Sequence, residues 1–81
     1  MGRHEMIQEL ASVVLTREKP DHGLKEGDIG TVVHRYGDGQ TYEVEFVTGE
    51  GRTVAVLTLP SEEIRPMRGQ EILHVRALSA A

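Results

Sequence analysis

Cysteine is absent from this 81-residue chain, which excludes disulfide staples, thiolate metal ligands and a cysteine nucleophile together. Tryptophan is absent as well, and two tyrosines and one phenylalanine are the only aromatic rings besides histidine. That is too few for the stacked platforms on which single-stranded nucleic acid lies. No apolar run approaches the ~18–20 residues of a membrane span. Residues 1–10 carry scattered charges instead of the apolar stretch of a signal peptide. A cytoplasmic protein without membrane association is the expectation. An excess of basic residues is also lacking: thirteen Asp and Glu outnumber nine Lys and Arg, for a net charge of −4. Phosphate binding draws its affinity from basic faces that release counterions, so this balance argues against nucleic acid. A basic protein partner is the simpler expectation.

What is present reads as strand, turn, strand. A chain this short makes one domain, burying only ~60–65% of the surface its unfolded form exposes. Residues 11–16 (ASVVLT) are rich in β-branched side chains and predict a first strand, followed by a long loop over 17–28 with Pro20, Gly23 and Gly27 at its joints. Residues 29–36 (IGTVVHRY), 42–47 (YEVEFV) and 53–59 (TVAVLTL) predict three more strands, the last stopped by Pro60. Residues 61–64 suit one helical turn capped by Ser61. A short fifth strand over 65–67 then follows, where Pro66 fits an edge or a strand start. The domain is expected over 11–67, with 1–10 a lead-in and 68–81 a tail.

Two turns set the expected register. Asp38-Gly39 is the pair that supplies positive φ at both centres of a two-residue type I′ hairpin, which sets Arg35 against Tyr42, Val33 against Val44 and Thr31 against Phe46. A two-residue turn at Glu50-Gly51 sets Tyr42 against Leu59, Val44 against Leu57 and Phe46 against Ala55. Both place Tyr42, Val44 and Phe46 on one apolar face with Val33, Ala55, Leu57 and Leu59, and leave Glu43 and Glu45 on the other. Val32, Val47, Val54 and Val56 share that second face, either as further core in a bent sheet or as an apolar strip needing a cover. Residues 68–81 could supply the cover as a helix, an added strand or a frayed tail, since their periodicity does not arbitrate.

The string EGDIGTVV at 26–33 is the most informative local feature. Gly27 can turn the loop into the strand, Asp28 suits an Asx-type turn, and Gly30 marks a bulge or a close backbone approach. No Gly-x-x-x-x-Gly-Lys phosphate loop is present. The long first loop, the tight hairpins, and Pro60 with its helical turn before a short last strand resemble SH3-like barrels. EGDIGTVV is similar to the KOW-type barrels of ribosomal and transcription proteins. The whole stretch from Val13 to Pro66 resembles DUF4926, a family of small bacterial proteins. The resemblance implies an all-β, five-stranded SH3-like barrel with one helical turn before its last strand. Some family members are encoded beside toxin-like proteins, which implies an antitoxin or immunity role.

Candidate chemistry is sparse. His4, His22, His34 and His74 lack the short paired spacing of a zinc site, and the register sets His34 opposite Glu43 as a cross-strand pair. Ser12, Ser61 and Ser79 have no activating motif. Glu62-Glu63 suits the acidic first turn of a helix, while Glu43 and Glu45 lie ~7 Å apart on one strand face as solvated carboxylates. No catalytic residue, metal site or cofactor is therefore expected. The expected function is a non-enzymatic protein-interaction module, contacting its partner through Glu18, Asp21, His22, Glu26, Tyr36 and Asp38 on the long loop and the first hairpin tip. The rival reading is a KOW-like module binding RNA or the ribosome, against which Arg17, Arg35, Arg52 and Arg65 are spread along the chain and Tyr36 is the one ring left for stacking. Self-association into a homodimer through the valine strip or an open strand edge is a third.

Overall fold

A computed structural model describes residues 7–78; His4 and Ser79 fall outside them. The chain forms β1 (Ser12–Leu15), β2 (Ile29–Arg35), β3 (Thr41–Val47), β4 (Thr53–Pro60) and β5 (Ile64–Pro66). Two short 3-10 turns, Pro20–His22 and Ser61–Glu63, interrupt the connections. All pairings are antiparallel, in the order β4-β3-β2-β1-β5. Strand pairing leaves β4 and β5 as two free edges, so the all-β expectation holds while the sheet is not a closed barrel. No helix among the described residues is long and apolar enough to cross a membrane.

The interior lies on one side of the bent sheet. Val13 and Leu15 of β1, Val32 of β2, Tyr42, Val44 and Phe46 of β3, Leu59 of β4 and Ile64 of β5 form one buried cluster with Ile7 and Leu24. Strict alternation in YEVEF produces the face: Tyr42, Val44 and Phe46 are buried and Glu43 and Glu45 are not. Ile7 belongs to this interior although it precedes β1. The Leu10 N–H donates to the Val32 carbonyl at 2.6 Å and the Val32 N–H to the Ala11 carbonyl at 3.0 Å, which draws the lead-in alongside β2.

The β3–β4 register is the expected one, with Tyr42, Val44 and Phe46 opposite Leu59, Leu57 and Ala55. Its turn is not. The Thr48 N–H donates to the Arg52 carbonyl and the Gly51 N–H to the Thr48 carbonyl, both at 2.8 Å. With Gly51 at φ +88°, this is a three-residue loop ending in a left-handed glycine. An irregularity between Phe46 and Val47 then restores the two-residue register.

On β2 a bulge changes the assignment. Arg35 pairs with Tyr42 and His34 with Glu43 as expected, but the register shifts between Val32 and His34, so Val32 pairs with Val44 and Thr31 with Glu45. Val33 is the extra residue and is 40% exposed, whereas Val32 is fully buried. The expectation that Val33 fills the core and Thr31 faces Phe46 is thus corrected by a bulge, which exchanges faces for every residue before it. The hairpin tip is also not type I′, because Gly39 (φ +69°) takes the left-handed conformation and Asp38 does not. The Tyr36 N–H donates to the Thr41 carbonyl and the Gly39 N–H to the Tyr36 carbonyl, each at 3.0 Å. Ser61 is not a cap either: Pro60 holds that position, with no side-chain hydrogen bond.

Candidate functional site

The long loop is a braced structure. Lys19 and Leu24 form an isolated bridge around the 3-10 turn Pro20–His22, which ends at Gly23 in the left-handed conformation (φ +70°). Leu24 is buried in the core and anchors the loop's middle. At its base, the Thr16 N–H donates to the Glu63 carbonyl at 2.8 Å, the Thr16 hydroxyl to the Glu62 carbonyl at 3.1 Å, and Lys19 Nζ pairs with the Glu63 carboxylate at 2.5 Å. The other 3-10 turn, Ser61–Glu63, also reaches the first hairpin, where the Ser61 N–H donates to the Gln40 carbonyl at 2.8 Å. The turn Ser61–Glu63 therefore ties both candidate loops together.

With the backbone held in this way, Glu18, Asp21, His22 and Glu26 are exposed. Tyr36 is 37% exposed and meets His34 edge-on at 4.6 Å. Asp38 is committed to its own turn. Its carboxylate accepts from the Gln40 N–H at 2.8 Å and from the Thr41 N–H and hydroxyl. The bond from Gln40, aided by those from Thr41, holds its carboxyl below the ordinary range. Among the described residues, no hydrogen bond or ion pair joins Glu18, Asp21, His22 or Glu26 to Tyr36 or Asp38. His34 sits opposite Glu43, but among the described residues it is the Glu9 carboxylate that lies within ion-pair distance of its ring, at 3.6 Å. No group of three or more His, Asp or Glu able to hold a metal occurs among the described residues.

A second feature lies in the C-terminal stretch. Residues 67–78 form neither helix nor strand and run back over the sheet as a strap. Its first clasp is Glu71, which accepts from Arg65 Nη1 and Nη2 at 2.9 and 2.6 Å and from the Arg68 N–H at 2.7 Å. Its second is Arg76, whose Nε and Nη2 donate to the two oxygens of Asp28 at 2.8 and 2.6 Å. Arg76 Nη2 also donates to the Gly23 carbonyl at 2.9 Å. The Lys25 N–H completes the Asp28 site at 2.8 Å; this donor lies three residues before Asp28 and not two after it, so the turn is not of the expected Asx type. No local pattern signals a pairing across 48 residues.

These clasps set a pH dependence. The Arg65 guanidinium and the Arg68 N–H lower the Glu71 carboxyl from its ordinary 4.5 to about 2. For Asp28, burial pushes upward, but the Arg76 and Lys25 hydrogen bonds and charges outweigh it and leave the carboxyl below its ordinary 3.8. A depressed folded-state value means the stabilisation is complete above the ordinary value and disappears as pH falls through the folded one. The strap is therefore expected to detach between pH 4.5 and about 2. Amide heteronuclear relaxation over 71–78 should become that of a mobile tail in this window. A strap unchanged at the lower limit would contradict the role of these carboxylates.

Fold and surface together define a small all-β module whose braced loop and strapped groove flank an open five-stranded sheet. Residues 9–66 match DUF4926, a domain of unknown function, and the chain belongs to that family. No curated protein and no solved structure is significantly similar to it.

Proposed function

We propose that this protein is a non-enzymatic interaction module that binds another protein through the outer side of the long loop and the adjoining hairpin tip. The observation that carries the reading is the display of Glu18, Asp21, His22 and Glu26 as exposed side chains on a loop already fixed by Leu24, Thr16 and the Lys19–Glu63 pair. Preorganisation lowers the ordering cost of association, and acidic side chains steer a basic partner during encounter. Tyr36 supplies an amphipathic ring on the first hairpin, while Asp38 acts by shaping its tip. The partner that suits this surface is a basic, toxin-like protein in the cytoplasm, which the module occludes as an antitoxin or immunity protein. The strand order, the long first loop and the 3-10 turn before β5 support reading the sheet as an SH3-like barrel with an unpaired seam.

Affinity capture with the tagged protein tests the surface. The double charge reversal Glu18→Lys/Asp21→Lys is expected to reduce recovery of the captured protein at least tenfold, with folding unchanged because both side chains are exposed. Normal recovery by the double variant would remove this surface from consideration. Retention of RNA in place of protein, falling steeply with salt, would replace the reading with that of an RNA-binding module.

A further inference from the structure

Beneath the strap lies a groove of about 440 Å³. Leu24, Ile29, Phe46, Val47 and Val54 line it from the domain, and Val75 and Leu78 from the strap. Asp28 stands at its rim, where its carboxylate receives the forked guanidinium of Arg76. Side-on pairing of this sort selects arginine over lysine, because only the planar fork reaches both oxygens together. The strap seats its arginine but fills the groove poorly: Val75 remains 90% exposed and Leu78 43%. Among the described residues, no backbone-to-backbone hydrogen bond joins 72–78 to the sheet. The strap also lies beyond the 9–66 region that defines the family, whereas Leu24, Asp28, Phe46 and Val54 lie within it.

We infer that this groove is a docking site for an extended segment of a protein partner carrying an arginine between aliphatic residues, and that the chain's own Val75-Arg76-Ala77-Leu78 occupies it as an internal competitor. Recognition divides in two. Asp28 and the Gly23 carbonyl read the guanidinium, and the apolar floor takes the flanking aliphatic side chains that the strap leaves in solvent. A partner segment that buries those side chains gains contacts the strap lacks, and so displaces it. The site is separate from the exposed acidic side chains of the long loop, and failure of either reading leaves the other standing.

The test uses a synthetic peptide spanning Glu71 to Leu78, added to the full-length chain and to its Arg76→Ala variant, with binding read from amide shifts. In the variant the internal competitor is weakened, so a larger fraction of sites is open and apparent affinity rises in proportion. Peptide binding at least tenfold tighter to Arg76→Ala than to the unaltered chain is expected, with shifts centred on Leu24, Phe46, Val47 and Val54. The same peptide with its arginine replaced by alanine should bind at least tenfold more weakly, a comparison that requires no further change to the protein. Absence of saturable shifts in the variant, or equal binding of the two peptides, would overturn the proposal. So would sedimentation as a dimer that dissociates on Arg76→Ala, since the strap would then be seated on a second copy.

Discussion

Replacing Phe46 with alanine should cost about 3–5 kcal/mol of folding stability. Phe46 is 2% exposed, pairs with Ala55 across β4, and belongs to the cluster that draws side chains from all five strands. Alanine would remove the ring's burial and leave a cavity that a sheet backbone cannot collapse to fill. The consequence is large because the reserve is small: at about 0.05–0.15 kcal/mol per residue, a chain of 81 residues holds only about 4–12 kcal/mol in total. Urea unfolding should show the midpoint falling by about a quarter or more with little change in slope. A loss under about 1 kcal/mol would mean that Phe46 does not pack in the interior and that the core lies on the other face of the sheet.

Gly30→Ala should also destabilise, by about 1–3 kcal/mol, although glycine-to-alanine changes often stabilise. Restricting the unfolded chain contributes about 0.4–1 kcal/mol in favour of alanine wherever the native backbone tolerates it. The added methyl, however, would lie 2.6 Å from Val44 Cγ1, 2.9 Å from Phe46 Cε1 and 3.1 Å from the Glu45 carbonyl oxygen. Val44 is fully buried, and as a β-branched residue it has little freedom at χ1 to move aside. Overlap therefore outweighs the entropic gain. Val44→Ala removes the nearest obstructing atom, so the double variant Gly30→Ala/Val44→Ala should lose at least about 0.5 kcal/mol less than the sum of the single losses. Strict additivity would show that the two residues do not meet.

The places where sequence and structure agree share a cause. YEVEF alternates without a break, and its partners in β4 alternate with it, so the buried face of β3 could be read directly. Gly30 was legible as a bulge or a close approach, and the structure shows the close approach, with the bulge falling at Val33. Val32-Val33 was not legible, since two adjacent valines are equally apolar on either face and a single bulge decides between them. The β3–β4 register emerged correctly from a turn of the wrong length, because the irregularity beside Val47 cancels the extra loop residue. On the surface, the exposed acidic side chains of the long loop follow from their sequence, but the bracing by Ser61–Glu63 and the strap's clasps do not. Lys19–Glu63 and Asp28–Arg76 join residues far apart in the chain, and no spacing rule announces them.

By itself, the sequence determined an all-β domain of five strands, the inward face of β3 and β4, and a polar first loop carrying Glu18, Asp21 and Glu26, because each follows from local alternation, turn residues or polarity. Only the tertiary structure decided that the sheet remains open, that Val32 displaces Val33 inside, and that Arg76 returns to Asp28. Those outcomes depend on which backbone slips by one residue and which distant charges meet, and both are settled by packing among segments that local pattern cannot compare.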